Sequence, residues 1–268
     1  MMATWAETDR SRVKDGESRR HVLAKWVFLP LRLLYKLWFG ITFLLSLLIL
    51  LVPFKILLSR KEWYVHAFHL KRWWAKIQQF ILLVPIRVKR EAPLPEPPYV
   101  ICSNHSSYLD IIHMYNVIPH FFLFMGKQEL RKWPLLGMFF KDMNITVDRT
   151  NHMGAGRAFR RAAKALDNGT SVAIFPEGTI PPFTPRMKAF KDGAFKLALE
   201  KQVPIVPITF LDHWKLLGEP GDLLGRSRPG ISRAIVHPPI QTKGLTEADL
   251  VDLRQRVYKI IEAPLLKA

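Results

Sequence analysis

From Tyr99 onward, short apolar and β-branched runs alternate with helical lengths of mixed polarity. The runs Tyr99–Ser103, Phe121–Met125, Asn144–Val147, Thr170–Phe175, Pro204–Phe210 and Ser232–His237 read as strands, and several are too apolar to keep one face in water. Asn151–Leu166, "NHMGAGRAFRRAAKAL", reads as a helix that Asn168 and Gly169 stop before the next strand. Near the end Thr246 and Asp249 spell a capping box, and Leu245 can staple to Leu250. Strands separated by helical lengths predict an α/β fold: a mixed, largely parallel sheet flanked by helices.

The first 90 residues follow another pattern. Leu37 to Phe54 carries no charge, and its 18 residues as a helix extend about 27 Å, close to the roughly 30 Å of bilayer hydrocarbon. Lys25, Arg32 and Lys36 precede this run and Lys55, Arg60 and Lys61 follow it. Cations at both ends favour a helix that dips into one leaflet and returns, with a single true span as the alternative. A signal peptide is the other rival; Glu7, Asp9, Asp15 and Glu17 before the run, and no small-residue cleavage site after it, argue against that. Next, Trp63, Ala67, Leu70, Trp74, Ile77 and Ile81 recur at helical spacing, a face that suits either the lipid boundary or the protein's own core, docking being favoured. The chain thus divides into membrane-docking helices over 1–90 and an α/β domain over 91–268, joined through the proline-dense "EAPLPEPP", Glu91–Pro98.

Charge sharpens this division. Of the net +18 of the 268-residue chain, +12 falls within residues 1–90, which points to a polyanionic partner. Beside a membrane-length apolar run, that partner is an anionic membrane surface rather than nucleic acid. One cysteine, Cys102, excludes an internal disulfide. Among the histidines, His66, His69, His113 and His213 make no metal-ligand spacing, and no Walker-type loop occurs, so no metal or bound cofactor is expected.

In open α/β sheets, ligands gather beyond the carboxyl ends of the strands. Two polar clusters lie there: "NHSSYLD", Asn104–Asp110, and "PEGT", Pro176–Thr179. His105 and Asp110 are five apart, so within one helix they would point about 140° away from each other. If the helix starts at Ser106 or Ser107, His105 sits in the preceding loop and can fold back onto Asp110. The alternative is a capping box, in which Asp110 reaches back to the Ser107 amide and His105 is an ordinary loop residue. A third arrangement makes Cys102 a nucleophile with His105 as its base.

"NHSSYLD", then "GKQEL" (126–130), "VDR" (147–149), "FPEGT" (175–179) and "VPIVPI" (203–208) occur in an order that resembles the glycerolipid acyltransferase family typified by 1-acyl-glycerol-3-phosphate acyltransferase. The resemblance spans about Tyr99 to Phe210, and the basic, apolar leader is similar to that family's membrane-docking helices. It implies transfer of a fatty acyl group from acyl-CoA or acyl carrier protein to a lysophospholipid hydroxyl, most directly lysophosphatidic acid to phosphatidic acid, at the cytoplasmic face of the cell membrane. His105 is then the general base and Asp110 its orienting carboxylate. Lys127 and Arg149 match positions for the acceptor's phosphate, and Glu177, Gly178 and Thr179 form the acceptor-site turn, with Glu177 alternatively a structural residue that holds loop amides. One departure stands out: Ile180 occupies a position where lysophosphatidate acyltransferases usually carry arginine. Arg186 or Lys188 from the longer loop replaces that cation, or the acceptor is another lysolipid, such as an aminoacyl lysolipid. A thioesterase and a non-catalytic lipid-binding or scaffolding protein are the rival readings.

Overall fold

The computed structural model describes residues 27–267 apart from 142, 149–151 and 219–221. Seven strands form one sheet: β1 (Ile86–Arg90), β2 (Val100–Ser103), β3 (Phe122–Lys127), β4 (Ile145–Val147), β5 (Ser171–Ile174), β6 (Ile205–Phe210) and β7 (Ser232–Val236). Their order is β1-β7-β6-β2-β5-β3-β4. Neighbours run parallel except β6 and β7, so β1 and β7 oppose the other five. The six strands expected from the sequence are present within a residue or two of their expected bounds.

The helices are α1 (Leu29–Ile49), α2 (Leu51–Leu57), α3 (Tyr64–Ile81), α4 (Leu109–Val117), α5 (Gly137–Lys141), α6 (His152–Asp167), α7 (Gly193–Lys201), α8 (His213–Leu216) and α9 (Leu250–Leu265). Two apolar layers sandwich the sheet. One holds Tyr99 and Ile101 with the inner faces of α2–α4; the other holds Val100 and Cys102 with α6, α7 and α9. Alternate residues of β2 thus enter opposite layers, and all four are buried, as a central parallel strand requires. Gly169 (φ +77°) stops α6, and the Thr246–Asp249 capping box forms just before α9.

Two expectations for the leader need correction. Residues 86–90, grouped there with the docking helices, instead form β1, which pairs along β7. "IRVKR" alternates a half-buried face with exposed cations, as an edge strand does, and in sequence this is hard to tell from a basic flank. The Trp63-to-Ile81 face also turns inward. Ala67 and Trp74 are buried in the core, and α3 packs on α4 through this side and Phe68. What α3 exposes is a different set, Val65, Trp73 and Phe80.

The apolar run begins earlier than expected, at Leu29, and breaks at Leu50. α1 is long and apolar enough to cross a membrane by length and composition, and Leu47 alone among its residues is buried. It lies antiparallel along α3, with polar ties at both ends. Tyr35 donates its hydroxyl to Leu82 O (2.7 Å), Trp38 Nε1 donates to Ile81 O (3.1 Å), and Trp74 Nε1 donates to Ser46 Oγ (2.9 Å). Lys36 reaches the carbonyl of Leu223 at 3.1 Å. After the break α2 turns Phe54 fully into the core.

Candidate active site

The site grows from the carboxyl ends of β2, β5 and β3, three neighbours in the sheet. Where β2 ends, Asn104 donates Nδ2–H to Phe210 O (3.0 Å) and accepts from Phe210 N (2.8 Å), fastening the loop to the end of β6. The next three backbone amides all point at carboxylates. His105 N donates to Glu177 Oε1 (2.8 Å), Ser106 N to Asp110 Oδ2 (2.6 Å) and Ser107 N to the same oxygen (2.9 Å). With those amides satisfied, the His105 ring folds back so that Nδ1 lies 2.9 Å from Asp110 Oδ2.

The two readings of the His–Asp spacing therefore coexist. α4 starts only at Leu109, and Asp110 both accepts the loop amides and faces the imidazole. Burial alone would raise the Asp110 carboxyl, but hydrogen bonds from His105 and His213 outweigh it and hold the group well below the usual carboxylate range. An ionised carboxylate only accepts, so His105 carries its hydrogen on Nδ1 and keeps Nε2 as the basic nitrogen. The ring is stacked on Phe175, centroids 4.1 Å apart, and Phe175 in turn on Phe124 at 5.9 Å. Its side chain is 13% exposed while that of Asp110 is fully buried, so His105 is the member of the pair that meets solvent.

His105 opens onto a cleft of about 420 Å³ whose wall includes Tyr108, Lys127, Trp133, Gly178 and Thr179. The sequence candidates Lys127, Gly178 and Thr179 are thus gathered around His105, with Asp110 behind it. Ile180 lines the same cleft as an apolar patch. Arg149 lies outside the described residues. Glu177, grouped in sequence with the substrate-binding residues, sits beneath the cleft and is 3% exposed. Its two oxygens accept the amides of His105 and Lys188, each at 2.8 Å, so it ties the β2–α4 loop to the loop after β5. Burial pushes its carboxyl up to about 7 against the pull of those amides.

Gly178 has φ +77°, where glycine is favoured, and a side chain here would also meet Lys191, whose Nζ lies 3.4 Å from the position of an added Cβ. Lys191, passed over in the sequence, thus lays a cation against the turn where Ile180 withholds one. Arg186 and Lys188 were the replacements considered; of these, Lys188 contributes its backbone amide to Glu177.

A second hollow of about 350 Å³, lined almost wholly by apolar groups, shares Tyr108, Ile111, Leu130 and Trp133 with the cleft and runs between α1, α3 and α5. Lys71 on its wall has no acidic partner among the described residues; burial lowers its ammonium to about 7, and it lies over the Phe139 ring at 4.4 Å. Cys102 faces the other layer, fully buried, and burial pushes its thiol up, away from thiolate chemistry. Cys102→Ala is accordingly expected to retain most activity in initial-rate assays. A loss comparable to that of His105→Ala would restore the thiol as nucleophile.

The sequence matches the family described as Acyltransferase over residues 85–211. It is 35% identical over 171 residues to human 1-acyl-sn-glycerol-3-phosphate acyltransferase alpha, covering 61% of this chain and 57% of that protein. It is 31% identical over 201 residues to the chloroplastic counterpart of Arabidopsis thaliana, covering 74% of this chain and 55% of that one. The chain belongs to the glycerolipid acyltransferase family. It spans a little over half the length of these curated relatives. The acyltransferase fold is also that of the crystal structure of a 1-acyl-sn-glycerophosphate (LPA) acyltransferase from Thermotoga maritima, with TM-score 0.72 at 22% identity, covering 88% of this chain and 95% of that one.

Two features of the site escaped the sequence. His213 bonds Asp110 from behind; its signal was a polar cluster, "DHW", just past the end of β6, a place where sites gather. His113, its neighbour, sits three residues after Asp110 on one helix face.

Proposed function

We propose that this acyltransferase moves a fatty acyl group from a thioester, acyl-CoA or acyl carrier protein, to the free hydroxyl of a membrane lysophospholipid. 1-Acyl-glycerol-3-phosphate is the leading acceptor and phosphatidic acid the product. The observation that carries this reading is the His105–Asp110 pair at the wall of a cleft that adjoins an apolar hollow. A hydroxyl is a poor nucleophile at neutral pH, so a base must take its proton as it attacks. Nε2 of His105 takes that proton while the oxygen bonds to the thioester carbonyl carbon. The resulting imidazolium is stabilised by Asp110. As the C–S bond breaks, the proton passes to the departing sulfur, leaving an ester, a thiol and a neutral ring. No acyl-enzyme is needed.

The apolar hollow suits a fatty chain, being of ordinary ligand-pocket size. Lys127 on the cleft wall and Lys191 beside Gly178 suit the acceptor's phosphate. The proposed place of action is the cytoplasmic face of the membrane, and docking on one leaflet is supported by α1. Its outer side presents Leu34, Leu37, Ile41, Leu45 and Leu48 to the surroundings, yet Tyr35, Lys36 and Ser46 tie it along its length to the domain. A helix so fastened lies on a membrane more readily than it crosses one. Lys55, Arg131, Lys132 and Lys141 border a further hollow beside α2, placed to meet anionic headgroups.

The test incubates full-length protein in mixed micelles with labelled acyl-CoA or acyl carrier protein and a panel of lysolipids, and identifies products by mass. Phosphatidic acid from 1-acyl-glycerol-3-phosphate is expected. Lys191→Met should raise the KM for that acceptor about tenfold, the worth of one charge-assisted hydrogen bond, with the donor KM unchanged. Free fatty acid released without any lysolipid would make the chain a thioesterase, and acylation of an aminoacyl lysolipid alone would replace the acceptor.

A further inference from the structure

His213 plays no part in the acyl-transfer scheme above. It opens α8, three residues beyond the end of β6, and is fully buried. Its Nδ1 lies 2.5 Å from Asp110 Oδ1, the oxygen that His105 does not use. Facing an ionised carboxylate, His213 must donate from Nδ1, as His105 does on the other side. Its Nε2 lies 2.6 Å from Ser232 Oγ on β7 and 2.8 Å from His113 Nδ1 on α4. Burial, and then His213 itself, hold His113 well below the usual histidine range, so that ring is neutral. The His213 ring also stacks on Phe210, centroids 4.5 Å apart. Three elements of the fold therefore fix its orientation.

We propose that His213 is a positioning residue of the acyl-transfer site, clamping Asp110 from behind so that the carboxylate presents a fixed edge to His105. This rests on the acyl-transfer reading. The clamp has two effects. It removes the freedom of the carboxylate to rotate away from His105, and it draws off part of the negative charge. Without it, Asp110 would favour the imidazolium of His105 more strongly, and His105 would take up its proton at higher pH. The ionisable groups packed around the pair are His105 in the loop, His113 on α4 and Glu177 after β5. Arg233 on β7 is engaged with Asp212 at 2.7 Å instead. Beyond the two imidazoles, the donors to Asp110 among the described residues are the Ser106 and Ser107 amides.

Side-chain amides separate the two nitrogens of His213, because asparagine places its N–H near Nδ1 and glutamine near Nε2. The full chain is compared as wild type, His213→Leu, His213→Asn and His213→Gln. Two quantities are followed against pH: kcat and KM for acyl transfer, and the peptide-resolved rate at which His105 reacts with diethyl pyrocarbonate. His213→Leu and His213→Gln should lower kcat about ten- to a hundredfold with both KM values unchanged. In both, the acid limb of kcat and the midpoint of His105 modification should move to higher pH. His213→Asn should recover most of each. A purely structural role would lower yield or Tm without moving either midpoint, and that result overturns the proposal, as does an asparagine variant no better than the glutamine one. Should His213→Leu fail to fold, the asparagine–glutamine contrast decides alone. Absence of acyl transfer by the wild type would remove the acyl-transfer reading instead, while the modification midpoint still reports on the clamp.

Discussion

His105→Ala is expected to lower kcat by about three orders of magnitude or more, the upper range for loss of a general base, while leaving a folded protein. Among the described residues the side chain makes one hydrogen bond, to Asp110, and one ring face is stacked on Phe175. Removing the ring leaves Asp110 with both loop amides and His213, so no buried charge is stranded. The cost in stability should be only about 1–3 kcal/mol, that of one hydrogen bond to a charged group. KM for the lysolipid should change little, because the groups proposed above to hold the acceptor, Lys127 and Lys191, are other than His105. Initial rates and thermal unfolding on the same preparation check both halves. A double variant, His105→Ala with Asp110→Asn, should be scarcely slower than His105→Ala alone, since the carboxylate acts through the ring. Turnover that survives the loss of the ring would exclude His105 as the base.

The parts legible in the sequence were those with one physical explanation. The β2 stretch is apolar at Val100, Ile101 and Cys102 in succession, as a strand buried on both faces needs, and β2 takes the centre of the sheet. The His105–Asp110 pair was different: spacing alone left three arrangements open, and the ordered family motifs singled this one out; loop and helix start are adjacent in the chain, so short-range geometry makes the contact. β1 was missed because an edge strand with Arg87, Lys89 and Arg90 on it resembles a basic membrane flank. The α3 stripe was assigned to lipid because amphipathic periodicity shows that a helix has an apolar side but does not name what covers it. Protein covers it here, and the face left open, with Trp73 and Phe80, is shifted around the helix. His213 and Lys191 were out of reach for another reason. His213 is 103 residues from Asp110, and Lys191 meets Gly178 only once the loop after β5 has folded back, tied by Lys191 N to Pro176 O at 2.9 Å.

The second large effect separates the two roles of Asp110. Asp110→Asn keeps an oxygen where Oδ2 accepts the amides of Ser106 and Ser107, so the loop should hold its shape. The new amide group would face His213 Nδ1, and that ring can answer by shifting its hydrogen to Nε2 and donating to Ser232 Oγ. Stability should therefore fall by no more than about 1–2 kcal/mol. The oxygen kept at Oδ2 still accepts from His105 Nδ1, so the tautomer is held, but the negative charge that stabilises the imidazolium is gone. In the Ser-His-Asp triad the same replacement costs about 10⁴ in kcat by imposing the wrong tautomer; with the tautomer kept here, a loss of about 10²–10³ is expected from the missing charge alone. Asp110→Ala should be less active still and far less stable, by about 3–5 kcal/mol, because the Ser106 and Ser107 amides and both imidazole N–H groups lose their acceptor. The pH dependence follows from the direction of the shift. The folded carboxyl lies below its unfolded value, so its stabilisation is in place above about pH 4 and is lost as pH falls further toward the folded value. The stability gap between wild type and Asp110→Asn should consequently narrow below about pH 4, as read by urea unfolding across that range. A gap that stays constant there would mean that the carboxylate is not held ionised by its four donors, and the electrostatic account of the His105 base would fail with it.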